Sequence, residues 1–254
     1  QYGESQTPEN WSIAQDTSGI MYFGNAGGVL TYDHERWQFI PVKRGQYVTA
    51  LHSIEGTRYI FSGGEGEFGF LQNDGSKFTY HSISDKIEFD FGFGAIWRIY
   101  HQSHKVFFQS EVAIFIYDLT DESIEVHKSE SSYHLMLECE GEIYARERGV
   151  GLKKWDGTEF TLIPDGDKFE LYGLFDILPY SSQEKLLVTQ ELGLMLLGED
   201  SIRAFNSDST GALRYQHIIG GTVSENGTYF FNSLQKGVYE VNRNGEIENH
   251  YTTS

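Results

Sequence analysis

An internal repeat is the feature that most constrains how this chain folds. A short apolar run, a polar turn, an aromatic strand, a second turn and another apolar strand recur six times along the 254 residues. A period of roughly 40 residues is typical of propeller blades rather than of a conventional globular domain. The predicted repeats are residues 11–42, 48–83, 96–129, 133–164, 174–207 and 215–254. They cover almost the whole chain, so we expect residues 1–254 to form one propeller segment without a separate second domain.

Each repeat divides into four short strands. Turn signals at TSG, EGT, CEGE and SENG separate the first two strands, and NGE or DGT separates the last two. Four strands per repeat is the pattern of a propeller blade. Several first strands are apolar on both faces, as in AIWRI, HLMLE and FDIL, which predicts innermost strands packed between neighbouring blades. The predicted fold class is therefore an all-β propeller of four-stranded antiparallel blades, with six repeats visible.

The charge and cysteine counts exclude several classes of partner. Lys and Arg number 19 against 37 Asp and Glu, and the resulting net charge of −18 repels nucleic acid and anionic lipid surfaces. No stretch approaches about 18 uninterrupted apolar residues, so we expect no direct membrane insertion. Cys139 is the only cysteine, which excludes an intramolecular disulfide and a multi-cysteine metal site, and we expect no cofactor. The opening QYGESQTPEN lacks the features of a signal peptide, and we expect a mature or excised piece.

Four motifs together resemble the two-component regulator propeller family, the sensory ectodomains of bacterial histidine kinases and hybrid two-component systems. They are NWSIAQDTSGIMYFGNAGGVLTYD, RYIFSGGEGEFGFL, VFFQSEVAIFIYD and GTYFFNSLQKGVYEVNRNGEIENHYTT, and the resemblance spans residues 10–254. It implies a periplasmic location, seven blades per propeller, and a following β-sandwich, transmembrane helix and signalling modules. This chain would then be part of a larger propeller, and a closed six-bladed ring is the alternative. A missing blade would expose sheet edges, which predicts self-association of the chain or dimerisation of its parent sensor.

The turns between the second and third strands are the predicted ligand-binding region. In a propeller they share one face with the connections that follow the fourth strands. They are rich in amides, carboxylates and guanidinium groups with aromatic residues nearby, a combination that suits an oligosaccharide or another small polar ligand. The alternative is that polar residues only complete solvated hairpins. The predicted ligand contacts are Asn25, Glu65, Trp97, Gln109, His134, Arg146, Arg148, Gln190 and Asn232.

Two further motifs are better explained by structure than by chemistry. His101 and His104 lie close together in the turn HQSH but lack a third ligand, so we predict no metal site. The glycine-rich segment GGEGEFG, residues 63–69, is followed by a strand rather than a helix, and its two glutamates would repel phosphate. Its glycines therefore indicate a tight or bulged hairpin.

The stretch RERGVGLKKW is the one locally basic segment. Arg146, Arg148, Lys153 and Lys154 on alternating strand positions would suit an acidic sugar such as a uronate. The alternative is an ordinary exposed face that neighbouring acids such as Glu147 balance.

Catalysis is the main alternative to a ligand-binding function. The enzymatic alternatives are a propeller glycoside hydrolase or lyase; the hydrolase needs two carboxyl groups about 5–10 Å apart, and several glutamates fall in the same set of turns. No Ser-His-Asp, HExxH or GxSxG context accompanies them, so we predict no catalytic residue. We expect a non-catalytic ligand-sensing domain, with a glycoside-cleaving enzyme and a protein-interaction scaffold as alternatives. The candidate carboxylates are Glu65, Glu67, Glu111, Glu147 and Glu191.

Overall fold

The computed structural model describes residues 9–43, 47–75, 77–205 and 208–252. Across these residues the chain forms six four-stranded antiparallel sheets, and the strands of every sheet follow chain order. This confirms the predicted all-β fold of four-stranded blades. Each predicted repeat contains one sheet, although residues 206–207 and 253–254, at the ends of the fifth and sixth repeats, lie outside the described residues.

The chain divides into two compact units, residues 1–133 and 134–254. The prediction that all repeats form one undivided segment stays a prediction.

The first unit holds three sheets. Sheet 1 contains β1 (Ser12–Gln15), β2 (Met21–Asn25), β3 (Gly28–Tyr32) and β4 (Trp37–Pro41). Sheet 2 contains β5 (Val48–Ser53), β6 (Tyr59–Gly64), β7 (Glu67–Asn73) and β8 (Phe78–Ser82). Sheet 3 contains β9 (Arg98–Gln102), β10 (Lys105–Gln109), β11 (Ala113–Asp118) and β12 (Ile124–Lys128).

The second unit holds sheets 5 and 6 and nearly all of sheet 4, whose first residue is Tyr133. Sheet 4 contains β13 (Tyr133–Cys139), β14 (Glu142–Glu147), β15 (Gly151–Trp155) and β16 (Phe160–Leu162). Sheet 5 contains β17 (Leu174–Pro179), β18 (Lys185–Thr189), β19 (Leu194–Leu197) and β20 (Ile202–Ala204). Sheet 6 contains β21 (Ile218–Val223), β22 (Tyr229–Ser233), β23 (Gly237–Val241) and β24 (Ile247–Tyr251).

Side-chain-capped turns reverse the chain after the third strands. Asp118 Oδ1 accepts a hydrogen bond from the Thr120 N–H at 2.8 Å, and Asp156 Oδ1 does the same for the Thr158 N–H at 2.8 Å. Asn242 Oδ1 accepts from the Asn244 N–H at 3.0 Å in sheet 6. Such side chains replace a backbone acceptor in a turn, so an Asp or Asn at the end of the third strand ends it at a fixed point. This explains why Tyr-Asp and Trp-Asp recur in the sequence.

The prediction that first strands are buried on both faces holds for the middle of β13 and β17, where consecutive residues are buried, and is wrong for β1 and β9. β1 and β9 alternate or are mostly half-exposed, whereas the central strands β6, β10 and β11 are buried along nearly their whole length. Central strands have a strand on either edge and a packed layer on each face, and this leaves them less accessible than an edge strand. The apolar run AIWRI misled the prediction because β9 begins only at its fourth residue.

The longer connections between sheets also fill the core. A 3₁₀ turn at Ser84–Lys86 starts the connection from β8 to β9, another occupies Gly166–Phe169, and α1 (Asp208–Leu213) precedes sheet 6. Phe93, Phe169 and Leu213 of these connections are 4%, 0% and 1% exposed, so each connection anchors itself with a buried apolar side chain. Among the described residues, no helix combines the length and the apolar character that crossing a bilayer requires.

Candidate recognition rim

One end of the sheets carries both the turns between second and third strands and the connections that lead into the first strands. Strands alternate in direction within each sheet, so these segments come together at that end. We call the turns, together with the residues immediately before the first strands, the recognition rim of each unit. The observed turns lie where the sequence predicted them, for example between Asn25 and Gly28 and between Gly64 and Glu67.

Backbone pairing ties neighbouring sheets of the first unit together at the rim. Ala26 in the turn of sheet 1 forms a β-bridge with Tyr47 before sheet 2, and Glu65 in the turn of sheet 2 forms one with Ala95 before sheet 3. The Gly66 N–H donates to the Gly94 carbonyl oxygen at 2.8 Å. A Cβ on Gly64 would lie 2.1 Å from the Tyr47 carbonyl oxygen, so this glycine is required for the close approach of the residue before β5 to β6 within sheet 2. The segment GGEGEFG therefore forms a tight hairpin that carries an inter-sheet contact.

Three exposed aromatic side chains occupy the same structural position in the first unit. Trp11, Tyr47 and Trp97 immediately precede β1, β5 and β9, and they are 52%, 45% and 44% exposed. Trp11 and Tyr47 meet edge to face with ring centroids 5.8 Å apart. Of these three residues, only Trp97 was among the ligand contacts predicted from the sequence. The signal that would have found the other two is the aromatic residue that precedes the first strand in consecutive repeats.

The polar residues predicted in the first unit separate into two groups. Asn25 is buried, and its Nδ2 donates to the Glu9 carbonyl oxygen at 2.8 Å and to Asn10 Oδ1 at 3.0 Å. Gln109 is buried too, and its Nε2 donates to the Ser110 carbonyl oxygen at 2.8 Å. Asn25 thus holds the segment that precedes β1 and Gln109 holds its own turn, so we do not assign them to ligand contact. Glu65 and Trp97 are exposed on the rim.

The five residues predicted in the second unit also differ in availability. Arg146 is 4% exposed, with Nε donating to the Phe169 carbonyl oxygen at 2.8 Å and Nη2 donating to that of Glu170 at 2.9 Å. Burial lowers the pKa of Arg146 and the charge of Arg148 lowers it further, whereas Glu191 raises it. Arg146 therefore positions the connection into sheet 5. Arg148 and Asn232 are exposed, and Gln190 and His134 are half-buried, with the His134 ring edge to face against Phe175 at 5.1 Å.

The basic stretch is balanced by neighbouring acids. Lys153 Nζ lies 2.6 Å from Glu147 Oε2, and Lys154 pairs with Glu142. Both lysines of RERGVGLKKW thus form ion pairs within their own sheet, as the second interpretation of this stretch predicts. Arg148 is the cation of this stretch that remains exposed.

Two of the five candidate carboxylates are buried against structural partners. Glu67 is 3% exposed and accepts hydrogen bonds from the Tyr80 hydroxyl at 2.8 Å and the Ser82 hydroxyl at 2.6 Å. Glu147 is 1% exposed and is paired with Lys153. A general acid or nucleophile must reach its substrate, so burial removes these two from a catalytic pair. Glu65, Glu111 and Glu191 are exposed.

The two histidines of HQSH do not act together. His101 lies within β9 rather than in the turn, and its Nδ1 is 2.8 Å from His52 Nε2 on the first strand of the neighbouring sheet. His104 Nε2 lies 3.2 Å from Asp118 Oδ2. In the described parts of the chain, three His, Cys, Asp or Glu side chains nowhere gather as a metal ion requires. His101 therefore serves as an inter-sheet contact.

The first unit also has a cleft of about 590 Å³ outside the rim. Tyr59 and Phe70 of sheet 2 and Tyr117 of sheet 3 line it, together with charged side chains. Those charges are paired with one another, Lys43 with Asp85 and Lys86 with Glu122. The size is within the range of ligand pockets, but the cations and anions at its mouth already satisfy each other.

Comparison with solved structures defines the class of protein as a β-propeller. No protein-family model matches the chain, and no curated protein matches it. Two structures of the extracellular domain of BT4673 from B. thetaiotaomicron, one described as a one-component and the other as a hybrid two-component system, superpose with TM-scores of 0.70 and 0.69 at 13% and 12% identity. They cover 99% and 100% of this chain, which spans 34% of the length of each. The WD40 propeller domain of Doa1 superposes with a TM-score of 0.66 at 12% identity, over 99% of this chain and 84% of that domain.

These neighbours support the resemblance to two-component sensor propellers at the level of the fold. The BT4673 domains are extracellular parts of a signalling system, and the Doa1 domain has the same architecture in another setting. Function does not follow from a shared fold, so the rim residues must carry the functional argument.

Proposed function

We propose that this chain is a non-catalytic, extracytoplasmic ligand-sensing domain of a bacterial two-component sensor, with a saccharide or another polyhydroxylated molecule as its ligand. The extracellular signalling domains with which it shares its fold support the sensing role and a periplasmic location. The observation that carries the proposal is the set of exposed aromatic rings, Trp11, Tyr47 and Trp97, at equivalent rim positions.

The rim has the chemistry that such a ligand needs. Sugar rings present apolar C–H faces that stack on aromatic side chains and hydroxyl groups that bond to carboxylates and amides. In the first unit the exposed Glu65 lies in the turn that pairs with the segment just before Trp97. An aromatic ring and a carboxylate are thus presented on one hydrogen-bonded piece of backbone. The signalling step would be a shift in the populations of two conformations that bind the ligand with different affinity.

Titration of the full chain with a panel of neutral and acidic oligosaccharides tests this proposal. We expect Trp97→Ala to weaken binding by roughly three- to tenfold, since one aromatic contact is worth about 0.5–1.5 kcal/mol. Trp37→Ala is the matched control, because Trp37 is 48% exposed but lies on β4, where it stacks on Tyr32. Circular dichroism of both variants checks folding. The absence of binding across the panel would overturn the proposal.

The same panel separates the remaining alternatives. A glycoside-cleaving enzyme would release shorter products, which chromatography of the incubated sugars detects. A protein-interaction scaffold would leave all sugars both unbound and intact. The predicted self-association of the chain is a separate proposal, and sedimentation velocity tests it, with a single monomeric species at all concentrations as the contradicting result.

A further inference from the structure

The recognition rim of the second unit gathers arginine side chains in a strongly acidic chain. Five of the ten lysines and arginines of this unit pair with acids, whereas on the rim Arg146 feels the charges of Arg148 and Glu191, and Arg214 bonds to the Glu191 backbone. A cationic group at one place in a chain of net charge −18 contrasts with its surroundings. The paired cations are Lys153, Lys154, Lys168, Lys185 and Arg203.

The connection into sheet 5 forms the base of this group. Arg146 holds it through the carbonyl oxygens of Phe169 and Glu170, and the Gly149 N–H donates to the Glu170 carbonyl oxygen at 2.9 Å. Farther along the same connection, the Gly173 N–H donates to Glu191 Oε2 at 3.2 Å. Sheets 4 and 5 therefore fix this piece of backbone from both sides, and the exposed Arg148 lies in the adjoining turn.

Arg214 approaches the same position from the connection into sheet 6. Its Nε donates to the Glu191 carbonyl oxygen at 2.8 Å. This is the hydrogen bond that Arg214 makes among the described residues, and it leaves the two terminal NH₂ groups of an exposed guanidinium for a ligand. A guanidinium fixed through Nε is oriented in advance, and its terminal groups match the two oxygens of a carboxylate.

Exposed aromatic rings accompany these arginines. Tyr215 follows Arg214 directly and is 75% exposed, and Tyr172 of the fixed connection is 42% exposed. Each ring offers a face for a sugar, and Tyr215 adjoins Arg214 in the sequence, which could take an acidic substituent. The group holds three arginines against the exposed Glu170 and Glu191, and the resulting net charge of +1 suits one carboxylate rather than a polyanion.

We propose that the rim of the second unit binds the carboxylate of an acidic sugar, a uronate, through Arg214 and Arg148, with Tyr215 or Tyr172 against the sugar ring. This inference rests on the proposed function and narrows its ligand class. The anion-recognition role that the sequence suggested for RERGVGLKKW thus passes to Arg148 and to Arg214, which lies 66 positions further along the chain.

The test uses the full chain and pairs of sugars that differ only in charge. Each uronate-containing oligosaccharide of the panel is titrated beside its carboxyl-reduced product, in which –CH₂OH replaces –COO⁻. We expect at least tenfold weaker binding of the reduced sugar, a similar loss for Arg214→Gln, and a partial loss for Arg214→Lys, which keeps the charge but not the planar fork. Arg243→Gln is the matched control, because Arg243 is an exposed arginine at the opposite end of sheet 6.

The outcomes distinguish this inference from the proposed function. Equal affinity for acidic and reduced sugars, with Trp97→Ala still weakening binding, would overturn the uronate site and leave the sensing proposal in place. Unchanged affinity of Arg214→Gln for an acidic sugar would also overturn the site. Failure of every sugar to bind would overturn both.

Discussion

The two units fill the space between their sheets with different side chains. Between sheets 2 and 3 of the first unit the core is aromatic, and Phe68 stacks near Phe108 and Phe115 with ring centroids 4.7 and 4.9 Å apart. Between sheets 5 and 6 of the second unit the core is built largely from leucine and valine, including Leu186 and Val188. The sheet topology is the same in both units. The blade pattern therefore specifies where apolar residues stand, whereas aromatic and aliphatic side chains can each fill those positions.

Core substitutions at Phe68 and Leu186, both fully buried, should show the largest difference between the units. We expect Phe68→Ala to lower the free energy of unfolding by about 3–5 kcal/mol. Phe68→Leu should still cost about 2–4 kcal/mol, because two aromatic pairs are lost together with buried volume. Leu186→Met should cost less than about 1.5 kcal/mol, since volume is kept. Urea unfolding measures all three, and equal costs for Phe68→Leu and Leu186→Met would contradict the contrast.

Acid should destabilise the two units over different pH ranges. In the first unit, burial and then the neighbouring His101 lower the pKa of His52 to about 4. The unfolded histidine, with its ordinary pKa near 6.5, takes up its proton first, so stability is lost as pH falls from about 6.5 to 4, by about 3 kcal/mol. In the second unit, burial alone would raise the pKa of Glu142, but hydrogen bonds from Lys154, Tyr144 and Lys185 lower it to about 2. Its contribution is present above its ordinary pKa of 4.5 and is lost as pH falls towards 2.

Hydrogen exchange at pH 7, 5 and 4 localises these losses. Protection should fall first around β5 and β9, where His52 meets His101. His52→Gln should flatten the pH dependence of unfolding in this range. The same slope in the variant as in the parent chain would show that another group titrates there.

Glycine substitutions on the first unit should have smaller effects. Gly64→Ala places a methyl group 2.1 Å from the Tyr47 carbonyl oxygen and should cost about 1–3 kcal/mol. Gly92→Ala is the control, because no atom lies within 4 Å of its Cβ position, and stability there should stay the same or rise by up to about 1 kcal/mol. Thermal unfolding of the two variants compares them, and equal shifts would mean that the close approach at Gly64 is relaxed in solution.

Local chemistry made much of the fold predictable. Turn residues and the Asp or Asn at the ends of third strands act through bonds within a few positions, so repeats, turns and the number of strands follow from sequence. The roles of Asn25 and Arg146 do not follow from the sequence. Arg146, for example, bonds to carbonyl groups 23 and 24 positions away. Polar residues beside a turn look alike in sequence whether they face solvent or a neighbouring backbone. The contact between His52 and His101 was hidden for the same reason, since the two lie 49 positions apart.

The rim aromatics show what a finer alignment of the repeats adds. Trp11, Tyr47 and Trp97 are separated by unequal spacings because the connections between sheets differ in length. Aligning the repeats on their first strands brings the three into one column. The irregular connections, not the blades, obscured the pattern.

The β-bridges between Glu65 and Ala95 and between Ala26 and Tyr47 join the turn of one sheet to the residues that precede the first strand of the next sheet. A ligand that binds both Glu65 and Trp97 would therefore contact the hydrogen-bonded junction between sheets 2 and 3 instead of an isolated loop. Any change in how that ligand binds would alter the spacing between sheets 2 and 3, and the displacement would extend along the whole length of their strands.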